Sequence, residues 1–440
     1  MAGVAEIAVQ LGHRVTGCDA NVYPPMSTFL RERGIEIHEG YAADQLHPAP
    51  DIVLIGNALS RGNPAVEHAL NKHLPYTSGP QWLAAEVLSQ CHVIAVSGTH
   101  GKTTTTSILA FILEQCGLDP GYLIGGIAQD LARPACLGGG RYFIIEADEY
   151  DTAFFDKRSK FVHYRPDTLI INNLEFDHAD IFPNLEAIKH QFHHLIRTVP
   201  GNGTVIFPTG DAAILDVLKR GCWSRQTSFG MSSSADCQIV DLNESSHTRF
   251  ALRLRNHQPV SVRSSLLGTH NAFNATAAIM AAMQVGVPLH DAVSALESFT
   301  GVKRRLEVLG TVNNITVYDD FAHHPTAIRA SLDALRAAVG TDKIICVLEP
   351  RSNTMRLGMH APLIADALKP ADVTYIYHDS GSRWDPHSIV EADSGTCHVL
   401  SSVDEIIKSL VTHARPDDHI VIMSNGGFAN IHARLLQELG

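Results

Sequence analysis

The stretch Gly98-Thr99-His100-Gly101-Lys102-Thr103-Thr104-Thr105 carries an identifiable chemistry. It follows the apolar run 93–96 and leads into the apolar run 108–113, so the spacing predicts a strand, a glycine turn and a helix in that order. Backbone N–H groups at such a turn face an anion together with the helix N-terminus; Lys102 reaches outer phosphates and Thr103 offers its hydroxyl to Mg²⁺. The expected ligand is ATP or GTP. The general pattern has a glycine five residues before Gly101, where this chain has Val96, so the loop is the variant GTxGKTT.

Two acidic runs fall where they could meet that ligand. Glu146-Ala147-Asp148-Glu149 closes the apolar run 142–145, and Glu175-Phe176-Asp177-His178 lies just past the run 168–171. If these runs are strands parallel to 93–96, all three end at the edge of the sheet where open α/β folds bind ligands. Mg²⁺ prefers oxygen donors and keeps phosphate oxygens in its shell, which makes Thr103 and Glu146 its expected protein ligands. Singly, Glu146 reads as a strand-end carboxylate and His178 as a hydrogen-bonded core histidine; their shared edge reverses that reading. The pairs His193-His194 and His323-His324 are what 25 histidines produce by chance, and neither has HExxH spacing, so no zinc site is expected.

The elements that must hold these residues can be followed along the chain. Residues 4–12 predict an amphipathic helix ending in glycine, and 13–19 a strand ending in Asp19. This is the back half of a βαβ nucleotide-binding unit, with Asp19 where a ribose hydroxyl is usually held. The first strand and its glycine-rich turn are expected to precede Met1. Residues 51–57 predict a buried strand ending in Asn57, and Asn63-Pro64 a helix start. A first domain is expected to span 1–89. A second, 90–300, alternates strands and helices in a parallel sheet; its part 204–262 shows short, irregular strands without chemistry, and Gly268 to Asn274 opens an alanine-rich helix. A third, 301–440, has strands at 315–318, 344–348, 373–376 and 420–423 and a helix from Pro325 with the apolar stripe Ile328, Leu332, Leu335 and Val339. The fold class is α/β in three domains: a Rossmann-like first, a phosphate-loop ATPase-like second and a Rossmann-like third.

The 440 residues, 45% hydrophobic and 18% charged, suit a multidomain globular protein. A net charge of −12 without a long basic run argues against a nucleic-acid surface. Eight scattered cysteines lack zinc, redox or disulfide spacing, and no apolar run reaches membrane-spanning length. The cytoplasm is the expected compartment.

GTHGKTTT, EADE, NNLEFDH, GTHNAFNA, RRLE and DDFAHHP occur in that order and resemble the Mur ligases, the ATP-dependent amide-forming enzymes of bacterial peptidoglycan synthesis. The resemblance runs from Met1 to Gly440. EADE with DDFAHHP is similar to the branch acting on bare UDP-N-acetylmuramate. DANVYPPMST, IGNALSRGNP, EYDTAFFDKRSKFVHYRP, EPRSNTMR and MSNGGF look like the recycling branch, which joins that sugar nucleotide to the tripeptide L-Ala-γ-D-Glu-meso-diaminopimelate. The alternatives are ligation of L-alanine alone and a non-catalytic sensor of nucleotide and UDP-muramate.

The resemblance implies that Lys102 holds the β- and γ-phosphates, that Thr103 and Glu146 bind Mg²⁺, and that His178 stands at a second metal position. It implies that Asn271 and Asn274 contact adenine, that Arg305 and Asp320 reach the nucleotide from the third domain, and that His323 and His324 lie near the muramoyl or amine substrate. The UDP-sugar side is assigned Asp19 and Asn57. Two departures stand out: the glycine-rich first turn is absent, and Phe192 takes the place of a lysine that several relatives carbamylate. No carbamate-bridged site is expected.

In the implied reaction ATP phosphorylates the lactyl carboxylate, and the tripeptide amine displaces phosphate from the acyl phosphate. Lys102 and Mg²⁺ would stabilise charge on the transferred group. His178 and His323 are the candidates for taking the amine proton. The tripeptide carboxylates call for fixed cations: Arg351 and Arg356 first, the run Lys157 to Lys160 second, or else that run serves the diphosphate. Closure of the domains around ATP is expected.

Overall fold

The computed structural model describes residues 1–22, 26–378, 386–387 and 396–440. Tyr23 to Pro25 of the DANVYPPMST stretch fall outside these.

The strands of the middle region obey a period of two, and this builds its layers. Ile94, Val96, Ile144 and Ile170 point to one apolar cluster, while Val93, Ala95, Phe143, Ile145, Leu169 and Ile171 point to another on the opposite face. The first face is covered by the helices Lys102–Gln115, Thr269–Gln284 and Leu289–Glu297, the second by Gly79–Glu86, Leu185–Ile196 and Ala212–Lys219. The alanine-rich face of Thr269–Gln284 lets it pack closely against the helix that follows the phosphate loop. His92–Ser97 lies between Tyr142–Glu146 and Thr168–Ile171, parallel to both, so the three loops that follow emerge at one edge.

This sheet is mixed and has ten strands. The segment expected to hold short irregular strands instead forms five regular ones, Thr204–Pro208, Arg225–Gly230, Cys237–Glu244, Thr248–Leu254 and Val260–Ser264, which extend the sheet to one side. Their alternation was hidden by a turn-rich sequence and by the break in register between Val240 and Asn243.

The third sheet has six strands, in the order Glu307–Val312, Ile315–Asp320, His419–Met423, Ile344–Leu348, Val373–Tyr377 and Cys397–Leu400. The first and last were not expected; Glu307–Val312 is antiparallel and half exposed, so it lacks the apolar run of a buried parallel strand. Pro325–Val339 and Ala361–Leu368 cover one face, Val403–His413 and Ile431–Leu439 the other.

The N-terminal region holds two parallel pairs, Thr16–Asp19 with Glu36–Glu39 and Val53–Ile55 with Tyr76–Ser78. Among the described residues no strand joins the pairs into one sheet. The helix Ala2–Gln10 packs its Val4, Ile7 and Ala8 into the core of the middle region. It lies beside the edge strand Ala135–Cys136, where the Gln10 amide accepts the Leu137 N–H (2.8 Å) and donates to the Ala135 carbonyl (3.4 Å).

Candidate active site

The loop between His92–Ser97 and Lys102–Gln115 has a backbone only glycine fits. Gly98 has φ 130°, and Gly101 has φ 78° with a Cβ there falling 2.3 Å from Asn274 Oδ1. Asn274 therefore backs the loop: its Oδ1 also accepts the Thr105 hydroxyl (3.3 Å), and its amide nitrogen donates to Asn271 Oδ1 (3.1 Å). Asn172 and Asn173, which open the NNLEFDH motif but were given no role from sequence, do the same from the next strand. Asn172 donates to Thr105 Oγ1 (2.9 Å), and Asn173 Oδ1 accepts the His100 N–H (2.7 Å). Their position directly after an apolar run at the ligand edge was the available signal. No side chain caps the helix at Gly101, which leaves its first N–H groups facing the cleft, the arrangement that suits a phosphate.

Opposite the loop lies a cluster of buried charges. Lys102 Nζ donates to the Gly98 carbonyl (2.7 Å) and to Glu149 Oε2 (3.3 Å) and stands 3.6 Å from Asp148. Burial opposes its charge, but Glu149, Asp148 and Glu146 outweigh that and raise its pKa. Lys160 Nζ pairs with Asp148 at 2.7 Å. Burial would raise the Asp148 pKa, yet Lys160 and Lys102 hold it well below the usual carboxylate range. The basic run 157–160 is therefore not one patch, since Lys157 pairs with Asp151 and Arg158 with Asp156 at the surface while Lys160 turns inward.

Glu146 is different. Burial, then the neighbouring Asp148, raises its pKa, against the Gly125 N–H (3.0 Å), the Thr103 hydroxyl and Lys102. A buried carboxylate beside a threonine hydroxyl, with both cations of the cluster paired elsewhere, is a hard-oxygen donor set that fits Mg²⁺. His178 does not share that set here: its Nε2 lies 2.9 Å from Glu149 Oε1, and this pairing raises its pKa despite burial. Phe192 is buried against Phe161, ring centroids 5.4 Å apart.

The third region closes the cleft, a cavity of about 1710 Å³ bounded by the loop, the acidic cluster and the segment 305–326. Arg305 faces it, stacked 5.1 Å over Phe321. Asp320 is 3% exposed and its oxygens accept the Leu306 N–H (2.9 Å), the Ala322 N–H (2.6 Å) and the Ser331 hydroxyl (3.2 Å). These bonds shape the turn carrying Arg305, and Asp320 also lines the cleft. Burial lowers the His323 pKa to about 4. Its Nδ1 lies 2.9 Å from the Phe321 carbonyl, an acceptor only, so the proton sits there and Nε2 keeps its lone pair.

Contacts to the loop 175–180 dock this region. Thr326 donates to Glu175 (2.7 Å), His324 Nε2 to the Phe176 carbonyl (3.3 Å), Thr354 to Asp177 (3.0 Å) and Asn353 to Asp180 (2.9 Å). Thr354 and Asn353 lie within EPRSNTMR, of which only Arg351 and Arg356 were expected to act. Arg351, 3.8 Å from Glu349, and Arg356 belong to the same segment but do not line the cleft. Asp19 and Asn57 also lie outside it, and Asn57 is exposed.

Three family models match the chain: the Mur ligase family catalytic domain over residues 1–89, the Mur ligase middle domain over 96–282, and the Mur ligase glutamate ligase domain over 304–426. The chain is 52% identical, over 100% of its length and 96% of the relative's, to the UDP-N-acetylmuramate–L-alanyl-γ-D-glutamyl-meso-2,6-diaminoheptandioate ligase of Haemophilus influenzae. It is 32% identical, over 100% of its length and 95% of the relative's, to the UDP-N-acetylmuramate–L-alanine ligase of Streptomyces avermitilis. Among solved structures, a murein peptide ligase from Psychrobacter arcticus aligns with TM-score 0.77 and 45% identity over 100% of this chain and 96% of that one.

Proposed function

The chain belongs to the Mur ligase family, and from that premise we propose that it joins UDP-N-acetylmuramate to L-Ala-γ-D-Glu-meso-diaminopimelate at the cost of ATP, in peptidoglycan recycling. It is an ATP-dependent ligase forming a C–N bond. The observation that carries the choice of amine is the 52% identity across the whole chain to a ligase of that tripeptide, against 32% to one of L-alanine.

The chemistry follows from a carboxylate being a poor acyl donor. A lactyl carboxylate oxygen attacks the γ-phosphorus as the bond to ADP breaks. The tripeptide amine then attacks the acyl phosphate carbon, forming the C–N bond as phosphate leaves. The N–H groups of the loop helix and Lys102 bind the phosphates and follow the developing charge. Thr103 and Glu146 would hold Mg²⁺, which when bound neutralises charge on the β- and γ-phosphates. Lys102 must exchange Glu149 for phosphate, and His178 then remains as the partner of that carboxylate. His323, with its Nε2 lone pair available, and His178, whose pKa its pairing with Glu149 raises, are the two candidates for taking the amine proton. Asn271, Arg305 and His270 would line the nucleotide, Arg351 and Arg356 would take tripeptide carboxylates, and Asp19, Asn57 and Lys160 would face the UDP-sugar.

We assign the sugar-nucleotide domain to 1–89, the ATP domain to 90–300 and the closing domain to 301–440, and place the reaction in the cytoplasm. No described helix is long and apolar enough to cross a membrane. The test is phosphate release from ATP with Mg²⁺ and UDP-N-acetylmuramate, offered the tripeptide, L-alanine or no amine. Release with the tripeptide alone is expected. Release with L-alanine would overturn the choice of amine, and release without any amine would overturn ligation.

A further inference from the structure

Three residues far apart in sequence meet where the third region docks on the phosphate loop: His100 of the loop, Glu175 after the strand Thr168–Ile171, and His324 at the start of the helix Pro325–Val339. Glu175 Oε2 lies 3.2 Å from His100 Nε2 and 3.5 Å from His324 Nδ1, and all three donor atoms fall within 4.8 Å of one another. A tetrahedral ion with bonds of about 2.0–2.1 Å sets neighbouring donors about 3.3 Å apart, so two measured separations already match an edge of that tetrahedron.

The proton placement fits as well. His324 Nε2 faces the Phe176 carbonyl at 3.3 Å, which can only accept, so Nε2 carries the proton and Nδ1 turns its lone pair toward Glu175 and the Thr326 N–H (3.3 Å). An imidazole that donates its far N–H to a backbone carbonyl is oriented as metal-binding histidines are. Beside it stands His360, 5% exposed, its ring centroid 4.4 Å from that of His324 and its Nε2 buried without a hydrogen-bond partner. An ion pair would account for His100 and Glu175 alone. It leaves unexplained why the unpartnered His360 Nε2 lies next to them; the His324 Nδ1 lone pair accepts the Thr326 N–H as the cap of the helix Pro325–Val339, a bond that an ion would replace.

We propose that His100, Glu175 and His324 bind a dication of the zinc type, with water completing its shell beside His360. The donor set is rich in imidazole, which suits Zn²⁺, Co²⁺ or Ni²⁺ and not Mg²⁺, so this site is chemically separate from the oxygen pair Thr103 and Glu146. It ties the phosphate loop to the third region, so a bound ion holds the cleft closed and opposes its opening. The inference goes beyond the ligase reading and does not depend on it.

The test uses the full chain, free of nucleotide and Mg²⁺, with Co²⁺ as the probe. Tetrahedral cobalt absorbs strongly in the visible, whereas the hydrated ion is faint. The expected result is a tetrahedral band that saturates and is erased by Zn²⁺, with Zn²⁺ raising the thermal unfolding midpoint. Glu175→Gln and His100→Asn should each weaken cobalt binding about tenfold or more and remove the Zn²⁺-dependent stabilisation, while Glu146→Gln leaves the band in place. No visible band, or a band unchanged by both Glu175→Gln and His100→Asn in variants that still unfold cooperatively, would overturn the proposal.

Discussion

Replacing Lys102 by alanine removes the side chain that links the loop carbonyl of Gly98 to the carboxylates of Asp148 and Glu149. Ligation should fall by at least about a hundredfold, the scale for losing a group aimed at transition-state charge, while circular dichroism stays unchanged; retained turnover would refute the assignment. A pH effect belongs to the same scale. Burial holds His270 and His323 at about 4 and His324 at about 3, against an ordinary value of 6.5. Above 6.5 these groups are neutral in both folded and unfolded chains and stability is complete. As pH falls from 6.5 toward 4 the unfolded chain binds protons that the folded one refuses, and stability is lost. His178, Glu146 and Asp320, whose pKa values are raised, oppose this, but the imidazoles that burial holds low, His92, His163 and His360 among them, outnumber these three. The thermal midpoint of the ligand-free protein should therefore drop between pH 7 and pH 5; a flat or rising midpoint contradicts the burial of these rings. The cleft-lining residues were legible where a motif carried them, as Lys102, Glu146 and His323 were. Asn172, Lys160 and His360 were not, because their roles come from partners 67, 12 and 36 residues away that only folding supplies: Thr105, Asp148 and His324.

Among elements, the segment Asn353–Arg356 does more than its single turn suggests. Thr354 bridges Asp177 Oδ1 (3.0 Å) and the Ala179 N–H (3.2 Å), both on the loop after Thr168–Ile171. Thr354→Val keeps the shape and leaves both groups unpaired, at about 1–3 kcal/mol in the docked arrangement. A rise of about tenfold in the tripeptide KM is expected from steady-state kinetics, and an unchanged KM would show that docking here does not limit substrate capture. Element by element, sequence reasoning succeeded where burial writes itself as an apolar run. The central strands around the phosphate loop and the helix stripe Ile328, Leu332 and Leu335 are such cases. It failed for Glu307–Val312, a half-exposed edge whose pairing depends on the turn at Asn313 and Asn314, and for the strands between 204 and 264, where alternation is interrupted by a bulge.

At the scale of the whole molecule, the cleft is an assembly of parts: a loop and an acidic edge with Lys160 from the middle region, and His323 and Arg305 from the third. The sequence showed which motifs belong together but not how the N-terminal helix is used. That helix lies along Ala135–Cys136, a strand with a single strand neighbour, and Gln10 supplies from its side chain the acceptor and donor that another strand would have offered. One side-chain amide thus stands guard over the open border of a ten-stranded sheet. Unpaired borders recruit the borders of other molecules. Gln10→Ala should accordingly leave catalysis intact while lowering the temperature at which light scattering reports aggregation; scattering identical to the parent protein would show the border is shielded by helix packing alone. The colloidal behaviour of the protein is then set tens of residues away from its chemistry, by a side chain that imitates a backbone.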